Sequence, residues 1–455
     1  MKRPALFLLA LTLSGMSLRG QAASAPRCSV HAVSYQGWDA QEVVNPWVKL
    51  TFVPKLGGRL MQVEFNGHPY LFVNPKYRGQ YISPQQAAGD WINYGGDKIW
   101  PMPEGNDDEN HWILASTALD DLPYEFKVIS QGERCVVELT GQPDTITGLQ
   151  YSRTISLAAN SPQISFHAVM KNATAHPIEW SVQSVSQYDL SDPQDRTDYN
   201  HHLWAYTPVN PASTYPGGFH VRDGLADDPS FSVSDGLFRL HWMHFQNEVW
   251  IDSTSGWLAV VDEKSQYGMV ERFPFDATGN YPDKATVIFY KNGPSVHFDK
   301  NGVASIRATT TESTPYYMEA EVNSPIVKLL PNATYAMDTT WNPVKIDKAP
   351  QTMTNAGIVT QKLGASFHAD QIGLTGSFSV FTGGDLTALL MNKHGVEVSR
   401  RVLRPVRPEE MVVLNETIPV TPDIAQVVLK LIDARGADYG ILDKVRIENS
   451  GSIPQ

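Results

Sequence analysis

From Trp47 onward the chain is written in short runs rich in Val, Ile, Phe, Tyr and Thr. WVKLTFVP, RLMQVEFNG, CVVELTG, YSRTISLA, QISFHAVMKN, GWLAVVD, ATVIFYKNG and YYMEAEV are each bounded by Gly, Pro or Asn. Partial alternation closed by such breakers is the signature of strands and turns. No segment before residue 350 keeps a 3.6-residue apolar period long enough for a convincing helix. FNGHPYLF reads as a hairpin with Asn66-Gly67 at its turn. Strands at such close spacing make a sandwich or barrel. A run of this length, over residues 26–345, implies an extended sandwich of large antiparallel sheets. NPVKIDKAPQTMTNAGIVT, from Asn342, reads as a linker because it carries Pro, Lys, Asn and Gly with little apolar pattern. SFSVFTG, LTALLMN, MVVLNETIPV and AQVVLKLIDARG then fit about seven short strands in roughly 100 residues, a small accessory β-sandwich over 346–455.

The net charge is −12 and no basic stripe occurs, which argues against a nucleic-acid partner. Lys2 and Arg3 precede a mainly apolar run, Ala5 to Leu13, and small residues AASA follow. That is the build of a secretory signal over residues 1–25, with Gln21-Ala22-Ala23 and Ala23-Ser24-Ala25 as cleavage sites. The run is shorter than the roughly 20 residues of a bilayer span, and no later stretch spans either. The expected location is therefore periplasmic or secreted. Cys28 and Cys135 are the two cysteines. In an oxidising compartment they are expected to pair, the alternative being two separate buried thiols.

Three stretches carry a resemblance. LTFVPKLGGRLMQVEFNGHPYLFVNP resembles the opening strands of the galactose-mutarotase-like, or aldose 1-epimerase-like, proteins. VMKNATAHPIEWSVQSVSQYD resembles their strand-turn-strand that leads to a catalytic His, and YYMEAEVNSPIVKLLPNATYAMDTTWNP their closing hairpin with a catalytic Glu. Together with YGGDKIWP, GWLAVVD and NYPDKATVIFY the chain is similar to the DUF4380 proteins over about residues 45–345. The resemblance implies a mutarotase-like β-supersandwich and a saccharide site. It also implies a Glu acid or base, and Glu319 and Glu321 share one face of their strand. Two carboxylates on one face repel, and one pKa rises, which suits acid or base work. The alternative is one Glu buried against a cation and one exposed. Where the family pattern has its His, this chain has Gln183, Ser186 and Gln187. None of these shuttles a proton near neutral pH, so ordinary aldose 1-epimerase activity is not expected.

With such a fold, the Gly- and Pro-broken stretch GDWINYGGDKIWPMPEG reads as a sugar site. Sugars stack their C–H faces on rigid aromatic rings while polar groups hold the hydroxyls. Trp91, Tyr94 and Trp100 are the candidate platforms, and Asn93, Asp97 and Lys98 the hydroxyl partners, joined by Gln187. Gly95-Gly96 allows a sharp turn or close approach to a ligand. The alternative is a structural loop with core Trp residues. Arg59, Tyr281 and Asp283 are weaker candidates for the same cleft. Asp107, Asp108, Glu109 and His111 lack an EF-hand's spacing, and His201-His202 and His241-x-x-His244 lack a zincin's Glu, so no metal and no cofactor is assigned. Three readings stand: carbohydrate binding or processing without the mutarotase His; a glycoside hydrolase or lyase using Glu319 or Glu321; and a non-catalytic envelope protein.

Overall fold

The computed structural model describes residues 27–105, 111–114, 117–241, 243, 245–307, 316–368, 370–419, 423–433 and 436–447. The expected signal segment and the acidic residues Asp107, Asp108 and Glu109 lie outside them, as does His244. Among the described residues the regular secondary structure is almost entirely antiparallel strand.

Two large sheets face each other. One has twelve strands, ordered through its site half as Arg59–Phe65, Asp97–Met102, Ile178–Asp189, Tyr317–Asn323, Val287–Lys291, Asn247–Ile251 and His220–Asp223. The other has ten, with Tyr267–Arg272, Thr334–Lys345, Ile164–Asn172 and Leu149–Ala158 near its middle. Strand side chains alternate between faces. So Met318, Ala320 and Val322 point between the sheets with Val287, Phe289, Val249 and Ile251, where all are buried in one apolar cluster. Tyr317, Glu319 and Glu321 must then point to the outer face. The Asn66-Gly67 turn has both residues at positive φ, and Phe65 pairs with His68, as the hairpin reading requires.

Cys28 and Cys135 are bonded, with Cα atoms 5.7 Å apart. Cys28 also pairs through its backbone with Gly132, so the bridge ties the start of the described chain to the strand next to the edge of the ten-stranded sheet.

Two features differ from the sequence reading. Asn342–Lys345 is not linker but the end of the Thr334–Lys345 strand, paired to Tyr267–Arg272. Gly357 onward is again strand. Val344 and Ile346 are buried between Pro, Lys and Asp, which thins the apolar pattern that would have marked the strand. Beyond it, two four-stranded sheets enclose their own apolar cluster, including Ile372, Phe378, Leu390 and Leu429. The second difference is Asp97–Met102, which is a strand inside the large sheet and not a loop. It pairs with Ser181–Ser186 along its length, while Arg59–Phe65 touches it only at Leu60–Asp97. Pro101 is tolerated there because that side of the strand is otherwise left open. No helix among the described residues is long and apolar enough to cross a membrane.

Candidate functional site

On the outer face of the twelve-stranded sheet lies a cavity of about 500 Å³. Cross-strand register builds its floor. Gln187, Glu319, Tyr290 and Glu248 stand in one row across four strands, and Glu321, Ile288 and Trp250 in the next. Gln183 lies opposite Trp100. Trp91, Trp100, Tyr317 and Arg222 close the walls, and Glu104 stands at the mouth, exposed to solvent.

The two carboxylates of Tyr317–Asn323 are each 7% exposed and each carries an amide partner. Gln187 Nε2 donates to Glu319 Oε1, and Gln183 Nε2 to Glu321 Oε2, both at 2.5 Å. Lys98 Nζ lies 3.3 Å from Glu319 Oε1, with both side chains almost wholly buried. Lys98 also sits over the Trp100 ring, 4.1 Å from its centroid, a cation–π contact in a desolvated place. Burial pulls the Lys98 ammonium below its ordinary value, against the opposing pull of Glu319. Burial, and then the negative charges of Glu319, Glu248 and Glu104, pushes Glu321 well above the usual carboxylate range. Glu248 is raised too, by burial first, although Trp250 Nε1 donates to it. The site thus holds a carboxyl biased toward its protonated form beside a second carboxyl group that contacts Lys98.

A second layer fixes the indoles. Asp120 Oδ1 accepts from Trp100 Nε1 and Oδ2 from Trp91 Nε1, both at 2.9 Å. Arg59 Nη2 is 2.7 Å from Asp120 Oδ1, and both side chains are fully buried. Gly57 makes this layer possible: its φ is +60°, and a Cβ there would lie 2.1 Å from the Asp120 carbonyl.

The cavity gathers Trp91, Trp100, Glu319 and Glu321, with Lys98 and Gln187 holding Glu319 from beside it. It does not gather six other expected residues. Arg59 neither reaches the cleft nor lies on the surface; it is buried under Asp120. Tyr94 is fully buried, packs edge-on to Trp38 and accepts from the Ile82 N–H at 2.9 Å. Asn93 spends its side-chain oxygen on the Gly95 N–H. Asp97 precedes Lys98 on a strand and so points the opposite way, between the sheets, where it bonds Arg153 and Ser186. Gly95 and Gly96 serve the chain's own backbone: a Cβ on either would strike Phe72 O or Leu60 O within 2.7 Å. Tyr281 and Asp283 line a neighbouring hollow that shares Arg222 and Trp250 with the cavity. His176 is exposed on its turn, and no His among the described residues lines the cavity. Among those residues no group of three or more His, Cys, Asp or Glu is placed to hold a metal ion.

Sequence reading missed Asp120, Arg222, Glu248 and Trp250. Asp120 sits in ALDDLP, which looks like a solvated turn. Glu248 and Trp250 did leave a signal: NEVWI places Glu and Trp at i and i+2 among apolar residues, the pattern that singled out Glu319 and Glu321.

No protein-family model matches the chain, and no curated protein does. Solved structures similar to it include galactose mutarotase-like proteins. One from Lactobacillus casei is 9% identical, with a TM-score of 0.42, over 67% of this chain and 99% of that one. One from Clostridium acetobutylicum is 8% identical, TM-score 0.43, over 70% and 99%. A TPR-domain containing protein from Parabacteroides distasonis is 14% identical, TM-score 0.44, over 69% of this chain and 48% of that one, so the chain spans about half its length. The fold described above rests on the chain's own strands and pairing.

Proposed function

We propose that the chain binds a saccharide in the cavity on the outer face of the twelve-stranded sheet. The observation that carries this reading is the composition of one cavity: aromatic rings at Trp91, Trp250, Tyr290 and Tyr317 beside amide-braced carboxyl groups at Glu319 and Glu321. Rings offer a face for sugar C–H groups, and carboxylates accept from hydroxyls. The Lys98–Glu319–Gln187 and Gln183–Glu321 contacts hold the acceptors in place before a ligand arrives, which lowers the ordering cost of binding. Among the described residues no imidazole lies beside Gln183 and Gln187 to protonate a ring oxygen, so anomer interconversion is not the expected reaction.

A second reading is processing of a glycan. It is favoured by the raised pKa of Glu321 next to the paired Glu319. Two strand residues span about 7 Å of backbone, of the order of the carboxyl separations that glycosidic cleavage uses. Glu321 would give a proton to the leaving oxygen, and Glu319 or Glu248 would receive one from water.

The finer placements are part of the same proposal. The YGGDKIWP stretch groups the chain with the DUF4380 proteins. The Cys28–Cys135 bond suits an oxidising compartment, hence an exported protein. Residues 346–455 would be an accessory unit outside the site.

A glycan-array screen of residues 27–455, beside Trp91→Phe and Glu319→Gln, tests the binding reading. Retention of one glycan class by the parent chain and its loss in both variants is expected. No retention at all, or equal retention by all three, would overturn it.

A further inference from the structure

We infer that the ligand of this site is an oligosaccharide held across several subsites, not a single sugar. The inference rests on the saccharide reading above and adds a length to it.

The cavity does not end at Trp250. A second hollow of about 630 Å³ begins on the other side of the same residues, for Glu104, Gly105, Arg222 and Trp250 line both. A third, of about 620 Å³, shares Pro103, His111 and Ile326 with the second. The three adjoin in series, starting on the sheet's outer face. Their joint extent can be read from one strand: Gln183 lines the first hollow and Glu179, on the same side of the strand, the third. Four residues of strand separate them, about 13 Å at roughly 3.3 Å per residue. Each hollow alone is of the size of a small-molecule site, above about 300 Å³. One sugar ring would leave most of the series to water.

The second hollow is built in the manner of the first. Trp250 and Tyr281 give it aromatic surface, and Arg222, Asp283 and Lys284 line it as polar groups. Its loop is braced. Tyr281 Oη accepts from the Asp276 N–H at 2.9 Å, Lys284 N–H donates to Tyr281 O at 3.0 Å, and Tyr215 Oη donates to the Asp283 carbonyl. Asp283 and Lys284 both hold positive φ, 42° and 71°, a conformation that non-glycine residues rarely keep in a loose loop. Rigid polar groups beside an aromatic floor are what a second sugar unit would meet.

The test is a length series. One- to six-residue ladders of 1,4-linked glucose and of 1,4-linked galactose, and of the sugar retained on the array, are titrated against the parent chain and Lys284→Gln. Affinity is expected to rise at least tenfold from the monosaccharide to the trisaccharide. Lys284→Gln is expected to weaken the trisaccharide at least threefold and leave the monosaccharide unchanged. Equal affinity for all lengths would overturn the inference while leaving the saccharide reading intact. A Lys284→Gln effect that is the same at every length would also overturn it. If no saccharide of any length binds, the reading and the inference fall together.

Discussion

Replacing Asp120 should loosen the site's indoles and the sheet beneath them at once. Its carboxylate is the shared acceptor for Trp91, Trp100 and Arg59. In Asp120→Ala, Arg59 keeps its charge with no exposure to water and loses its ion-pair partner. Breaking a buried pair from one side costs about 3–5 kcal/mol. The Trp100 N–H also loses its acceptor, which adds about 1–3 kcal/mol if nothing replaces it. Trp91 is half-buried and can turn to water, so it adds little. A loss near 5 kcal/mol is therefore expected, against a total stability of about 5–15 kcal/mol. Asp120→Asn keeps the shape, and its amide oxygen can still serve one indole, so about half that loss is expected. Removing both charges, in Arg59→Met with Asp120→Leu, should recover part of it, because no buried charge is left unpaired. Urea unfolding followed by tryptophan fluorescence measures the parent chain, these three variants and the single changes Arg59→Met and Asp120→Leu. A loss under about 1 kcal/mol in Asp120→Ala, or strictly additive effects of the two single changes, would refute the buried-hub account.

Other outcomes follow from the same structure. Trp100→Ala should lose about 3–5 kcal/mol of stability, since Trp100 is 3% exposed and packs on Trp112 at 4.8 Å; a fully stable variant in thermal denaturation would show that the ring is not core. Thiol titration of the denatured, unreduced chain should find no free thiol, and Cys135→Ser should cost about 4–5 kcal/mol for a closed loop of this length; two free thiols per chain would count against the bridge. Glu271 is buried between the sheets, and that burial raises its pKa to about 8. A raised carboxyl favours the protonated folded state, so its contribution is full below about pH 4.5 and fades as pH rises toward 8. The Glu271→Gln variant should show a flatter stability–pH curve over that window; an unchanged slope would count against it. Freshly dissolved α-glucose or α-galactose should mutarotate no faster with the protein than without it, and robust acceleration in a polarimeter would overturn the reading of Gln183 and Gln187.

What the sequence disclosed and what it hid divide along a physical line. Period-two patterning disclosed the strands and placed Glu319 and Glu321 on one face, because Met318, Ala320 and Val322 alternate with them in sequence, although both faces are buried. Asp97–Met102 escaped the same test because each of its faces mixes polar and apolar residues. Lys98 and Trp100 meet the site layer, and Asp97 meets Arg153, so no polar side remains to alternate with an apolar one. Arg59 and Asp120 were illegible as a pair. They lie 61 positions apart, and only the Gly57 turn brings the Asp120 loop against the first sheet. Arg222 and Trp250 come to the cavity from His220–Asp223 and Asn247–Ile251, at the far edge of the sheet. No local pattern states that these two strands lie beyond Val287–Lys291. Register, not composition, assembles the floor.

The most direct test of the saccharide reading is a crystal structure of the chain soaked with the glycan that the array retains. Density is expected against Trp91, Trp250 and Tyr290, with hydroxyls within hydrogen-bond distance of Glu319 and Glu321. A larger hollow of about 840 Å³ exists elsewhere, lined by Trp257, Arg272 and Asn355. Density there, with the Glu319 cavity holding only water, would contradict the account.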